Sequence, residues 1–238
     1  MNTIILAAGR GTRFGELTKK TPKSLVPVNG KPILEYTLSS LPSQINEVVL
    51  VIGHLGKNIR NKFGDKHNGK RITYVNAELN GTGGALWQTR TYLKKDRFLV
   101  LNGDDIYRKS ELENLIKHGW SAGLAKTIPP SSKYLTFELD KDGMLLGARY
   151  PTDEEMTREI LISTGAFVLN PDIFKYKLVK ISNGEYGLPQ TILKSIRKHP
   201  TKGVIMKNWI QINCLEDADK AGQILKNKKR DLSRLSVD

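Results

Sequence analysis

The stretch IILAAGRGTRFG, residues 4–15, decides the reading of the fold. The unbroken aliphatic run from Ile4 to Ala8 suits a strand buried on both faces, the mark of a parallel sheet. It opens directly onto Gly9, Gly11 and Gly15, interleaved with Arg10 and Arg13. Ligands of open α/β sheets bind beyond the carboxyl ends of the strands. Bare backbone and positive charge at that place therefore predict an anion site.

Outward from this loop, strand-like and helix-like runs alternate. TIILAA (3–8), EVVLVIG (47–53), RITYVNA (71–77) and RFLVLNGD (97–104) read as strands. KPILEYTLSSL (31–41), KNIRNKFG (57–64), TGGALWQTRTYL (82–93, opened by Thr82) and SELENLIKHG (110–119, capped by Ser110) read as helices. This βαβα order predicts an α/β fold, a mostly parallel central sheet with helices on both faces. The second half is more antiparallel. SAGLAKTI (121–128), YLTFELD (134–140), MLLGARY (144–150) and ISTGAFVLN (162–170) are strands separated by turn residues. A helix at 188–198, the run GVIMKNWIQIN (203–213) and a last helix from Leu215 close the chain. The expectation is one domain, 1–225, with a nucleotide-binding half (1–120) and a substrate-binding half (121–225) on one sheet. A basic C-terminal tail, 226–238, follows.

Three readings of the opening loop compete. A dinucleotide fingerprint needs GxGxxG turning straight into a helix. Here the spacing is GxGxxxG, and Pro22 and Pro27 fall where that helix would run, at about 3 kcal/mol for an interior proline. A P-loop needs Gly-Lys-Ser/Thr, and NGKP (29–32) does not supply it. The third reading is a long loop around a triphosphate. Gly9 and Gly11 admit phosphate oxygens to backbone N–H groups, and Arg13 offers a bidentate fork to the β and γ phosphates. Lys23, set by Pro22, offers a point charge to the α phosphate. A plain surface loop would not explain cations and glycines gathered at one strand end.

The 238 residues carry 38 Lys plus Arg against 24 Asp plus Glu, a net charge of +14. That balance favours anionic partners. Nucleic-acid binding would rest on the charge alone, because no aromatic residue interleaves the tail KNKKRDLSR (226–234). The apolar runs are strand-sized and the start lacks a signal-peptide pattern, so no membrane span and no export are expected. One cysteine, Cys214, fits a reducing cytoplasm. His54, His67, His118 and His199 show no metal spacing, and Trp87, Trp120 and Trp209 read as packing residues.

LAAGRGTRFGELTKKTPKSLVPVNGKPILEY (6–36) resembles the signature of the sugar-1-phosphate nucleotidylyltransferases. NGTGGAL (80–86), LNGDD (101–105) and NWIQINCLEDADKAG (208–222) resemble three further segments of that family. The resemblance implies a Rossmann-like, GT-A-like fold. It also implies Mg²⁺-dependent nucleotidylyl transfer from an NTP to a sugar 1-phosphate, giving an NDP-sugar and pyrophosphate. By the same resemblance Gly9, Gly11, Thr12 and Arg13 cradle the triphosphate and Lys23 sits by the α phosphate. The backbone around Leu6 and Ala8, with Gly81, faces the base, Asn76 stands where the family reads the base edge, Thr82 is a further nucleotide contact, and Asp104 binds Mg²⁺ and contacts the acceptor. The family's W-x-D is here Trp209-Ile210-Gln211, so Asn213 is the expected second metal ligand. In place of the family's E-x-K pair stands only Arg149, and Ser163 and Thr164 are candidates for sugar hydroxyls. No C-terminal extension for a second activity is expected. Two rivals remain: a phosphocholine cytidylyltransferase, with Tyr134, Tyr150, Phe167 and Trp209 as an aromatic cage, and a non-catalytic nucleotide-sugar-binding relative.

Overall fold

Strand β1 (Asn2–Ala7) lies at the centre of the sheet, hydrogen-bonded in parallel to β2 (Glu47–Ile52) on one side and β4 (Phe98–Asn102) on the other. The computed structural model describes residues 1–78, 80–93 and 96–234, with the backbone alone from 228 to 234. Beyond β2 lies β3 (Lys70–Asn76), also parallel. Beyond β4 the sheet turns antiparallel through β9 (Ile160–Leu169), which pairs with β4 and β6 (Trp120–Thr127). The edge is β7 (Thr136–Leu139) and β8 (Leu145–Arg149), while β10 (Thr201–Ile205) runs parallel to β6. Strands from residues 1–120 and from residues 121–225 thus lie in one continuous mixed sheet.

The unbroken apolar run of β1 has its reason in the packing. Ile4 and Leu6 face one core, with α3 (Gly81–Trp87) and α5 (Leu188–Leu193) supplying Leu86, Leu188 and Ile192. Ile5 and Ala7 face the other core, covered by α1 (Ile33–Ser40), α2 (Gly56–Phe63) and α4 (Lys109–Leu115) through Leu34, Leu38, Ile59, Phe63, Leu112 and Leu115. Neither face of β1 meets water, so neither carries the alternation of a half-exposed strand.

Several expected elements are shorter than their sequence pattern. The run 82–93 gives a helix only to Trp87, then a tight turn at Arg90–Tyr92. Both the N–H and the hydroxyl of Thr89 donate to the Leu86 carbonyl, replacing the next i→i−4 bond. Ser195 does the same to Ile192, so the helix expected to 198 stops at Leu193. Ser110 is not a cap: α4 starts at Lys109 and Ser110 lies inside its first turn. The run 203–213 breaks in two, β10 and β11 (Ile210–Gln211), because Asn208 turns aside to donate twice to Glu111 Oε1. The last helix, α6 (Leu215–Arg234), takes in residues 226–234 of the expected tail. Residues 235–238 and the side chains of 228–234 lie outside the described residues.

A third apolar cluster positions the site. Phe14, between Arg13 and Gly15, packs with Val26, Val28 and Ile33, with Ile106 of β5 (Asp105–Ile106), with Ile212, and with Ala218 and Ala221 of α6. One buried ring thereby ties the opening loop to the end of β4 and to the closing segment.

Candidate active site

The opening loop is held from beneath. Thr18 donates to the carbonyls of Gly11 (3.0 Å) and Gly15 (3.2 Å), and His54 Nε2 lies 3.0 Å from the Thr18 carbonyl. A carbonyl only accepts, so that nitrogen carries the proton. His54, set aside in the sequence, is thus a brace for this loop. Gly11 sits at φ +65°, and a Cβ there would lie 2.7 Å from Lys23 Cβ. This glycine is needed twice, for its left-handed backbone and for the close approach of Lys23.

Lys23 opens a tight turn at Lys23–Leu25 behind Pro22. It is buried, its Nζ is 5.6 Å from the Phe14 ring centre, and it donates to Asp104 Oδ2 at 2.6 Å. Asp104 reaches it because the Gly103 N–H bonds to the Leu6 carbonyl, folding the chain after β4 against β1. Strand β11 pairs with β5, setting Gln211 opposite Asp105. Asp217 Oδ2 then accepts from the Asn213 and Cys214 N–H groups. Asn213 and Asp104 consequently line the same cavity.

That cavity holds about 660 Å³. One end carries Gly9, Arg10, Gly11, Thr12, Arg13, Lys23 and Ser24, and the wall includes Leu6, Ala8, Gly81 and Thr82. Ser24 was not foreseen. Its hydroxyl is buried without a hydrogen bond among the described residues, an arrangement that an incoming phosphate oxygen would satisfy. Glu78, Asn80 and Glu185 also line this cavity, and Asn76 does not: it is exposed at the end of β3, outside the wall. The expected base contact from Asn76 therefore has no support in its position. A side chain ending a strand can point off the site while its neighbours in the following loop point in.

A second cavity of about 170 Å³ adjoins the first across Thr82 and Asn102. Its wall includes Lys133, Tyr134, Phe137, Ser163, Phe167, Gln190, Trp209 and Gln211. Ser163 lines this second cavity. Thr164 is not available: it is fully buried on the other side of β9, donating to the Gly123 carbonyl at 3.0 Å. Arg149 is also displaced from the site. It lies on edge strand β8, forks onto Glu155 at 2.7 and 2.9 Å, and lines neither cavity. The same pairing holds the Glu155 carboxyl down at about 2. Of the aromatic cage, Tyr134, Phe167 and Trp209 come together and Tyr150 does not.

Asp105, next to Asp104, sits in a different environment. It is wholly buried, its carbonyl accepts from Thr37, and its carboxyl accepts from Asn102 Nδ2 at 3.3 Å. Burial, then the Asp104 charge, push its carboxyl up to about 7, while Lys23, Asn102 and the Trp209 indole pull the other way. Unfolded, the same carboxyl ionises near 3.8. Between these values the native state holds a proton that the unfolded chain has lost. Stability is therefore expected to fall as pH rises from about 4 to 7, and to level above that. The loss is on the order of a few kcal/mol, or roughly 5–10 °C in Tm. Melting of metal-free protein across this range checks it. Asp105→Asn should flatten the slope, and an equal slope in that variant would assign it to other groups.

The donor set at Asp104 suits a hard cation. Asp104 Oδ2 is taken by Lys23, while Oδ1 has no hydrogen bond among the described residues, and the Asn213 side chain shares the cavity. Among the described residues no cluster of three His, Cys, Asp or Glu side chains exists to form a cage. Mg²⁺ needs none, because it keeps waters and is commonly held by one or two protein oxygens plus substrate phosphates.

Comparison with known proteins gives the chain's family and fold. The Haloferax volcanii UTP–glucose-1-phosphate uridylyltransferase AglF is 30% identical over 96% of this chain and 98% of its own. The bifunctional protein GlmU of Methanococcus maripaludis is 30% identical over 88% of this chain and 50% of its own, so the chain spans about half the length of several relatives it matches. A UDP-glucose pyrophosphorylase solved with UDP-glucose superposes with a TM-score of 0.82 at 18% identity, over 95% of this chain and 98% of that one. The Rossmann-like, GT-A-like fold expected from the sequence is the one observed. Residues 2–133 match the family described as Nucleotidyl transferase, and the chain belongs to that family.

Proposed function

We propose that this protein transfers a nucleotidyl group from an NTP to a sugar 1-phosphate, releasing pyrophosphate and forming an NDP-sugar. The observation that carries this reading is the pair of adjoining cavities. The larger has a cationic, glycine-rich end beside a carboxylate, and the smaller is neutral and aromatic except for one lysine. A nucleoside triphosphate fits the first with its phosphates on Arg10, Thr12, Arg13, Lys23 and Ser24, and its base toward Gly81. Glu78 and Glu185 repel phosphate, which fixes that direction. The acceptor fits the second, with Ser163, Gln190 and Gln211 as partners for hydroxyls.

The attacking atom is a phosphate oxygen, already anionic, so no general base is required. The difficulty is bringing two anions into line, and the remedy is charge placed before they arrive. Lys23 is suited to this because its turn and the Phe14 ring hold it in place. It sits where charge builds as the α phosphorus is attacked. Asp104 and Asn213 would hold Mg²⁺, which neutralises phosphate charge when bound. No helix among the described residues is long and apolar enough to cross a membrane. We place the reaction in the cytoplasm, on the single cysteine and the phosphorylated substrates.

Phosphocholine is the second reading, favoured by Tyr134, Phe167 and Trp209 meeting in one cavity. Phosphorus NMR of a mixture of NTP, Mg²⁺ and hexose 1-phosphates tests the proposal. Transfer gives a new pair of coupled diphosphate signals together with pyrophosphate. Conversion of NTP to NDP and inorganic phosphate would instead mark a hydrolase.

A further inference from the structure

We infer that Lys133 is the side chain that binds the phosphate of the acceptor. This rests on the proposed transfer to a sugar phosphate. A phosphate dianion entering the smaller cavity needs a counter-charge there. Arg149, at the position from which the sequence would supply it, is held by Glu155 and Glu138. Arg10, Arg13 and Lys23 line the larger cavity, where a triphosphate claims them.

Among the described residues lining the smaller cavity, Lys133 is the one charged side chain. It has no ion pair or hydrogen bond among the described residues. Its place is built: Pro129 and Pro130 stiffen the approach, and the Tyr134 N–H closes a turn on the Ser131 carbonyl at 3.2 Å. Tyr134 in turn is hydrogen-bonded through its hydroxyl to Gln211 Nε2 at 2.5 Å. Gln211 lies two residues from Asn213 on the larger cavity's wall, so Lys133 is attached next to the junction where the two substrates meet.

The rest of the wall narrows the acceptor's chemistry. Aromatic rings of Tyr134, Phe137, Phe167 and Trp209 suit the C–H faces of a sugar ring, and the amides suit its hydroxyls. No carboxylate stands among the described lining residues, so a quaternary ammonium would find no counter-charge and would share the cavity with Lys133.

Titration calorimetry with Lys133→Gln and Arg149→Gln decides the matter, with glucose, mannose and N-acetylglucosamine 1-phosphates and phosphocholine as probes. Lys133→Gln should weaken the preferred sugar 1-phosphate about 10- to 100-fold, the loss of one charge-assisted hydrogen bond. Its NTP affinity should stay at the wild-type value, which also reports an intact fold. In turnover its acceptor KM should rise with kcat little changed. Arg149→Gln should bind the acceptor as wild type does. Unchanged acceptor affinity in Lys133→Gln, or a loss in Arg149→Gln instead, would overturn the inference while leaving nucleotidyl transfer standing. A wild-type protein that binds no sugar 1-phosphate would remove the reading of the site itself, and the role of Lys133 with it.

Discussion

Asp104→Asn is expected to lower turnover by about three orders of magnitude or more, with no rescue at saturating Mg²⁺. The substitution keeps the shape of the side chain and removes its charge. It acts at two points. On the proposed reading, a cation held beside the phosphates would lose the carboxylate of Asp104. Lys23, buried and bonded to Asp104 Oδ2 at 2.6 Å, loses the partner that holds it. Kinetics across a Mg²⁺ series, with circular dichroism to verify the fold, measure the effect. A near-normal rate would remove Asp104 from the chemistry.

Lys23→Ala is expected to cut kcat by about 10²- to 10³-fold while shifting NTP affinity only about threefold. Arg10, Arg13 and the glycine backbone still receive the triphosphate, so ground-state binding survives. Lys23 is different because it is held by Asp104, Phe14 and the turn behind Pro22. A charge fixed in this way is worth most when negative charge grows on the α phosphate. Steady-state kinetics paired with nucleotide titrations separate the two quantities. Equal losses in affinity and turnover would make Lys23 a binding residue only.

The residues legible from sequence are those whose chemistry is local. Gly9, Gly11, Arg13 and Lys23 lie within one loop, and the strand before it fixes where the loop emerges. Asp104 could be singled out because it lies two residues beyond the end of β4, a strand parallel to β1. The acceptor side was harder, because it depends on strand facing and on partners distant in the chain. Ser163 and Thr164 are adjacent, and alternation along β9 sends one to the cavity and buries the other. Arg149 looked free until Glu155, buried six residues on, claimed it. Lys133, Gln190 and Glu185 carry no motif: Gln190 sits on α5, the other two in irregular segments, and all three are distant in the chain from the opening loop whose cavities they line. Ser24 lay inside the quoted signature, yet only the burial of its unpaired hydroxyl gives it a task.

The most direct test is pyrophosphate release measured with Mg²⁺ for each of four NTPs against a panel of sugar 1-phosphates and phosphocholine. The two-cavity account predicts release that requires one NTP and one sugar 1-phosphate together and stops when a chelator is added. Release without an acceptor, or none with any pair from folded protein that still binds NTP, would contradict it.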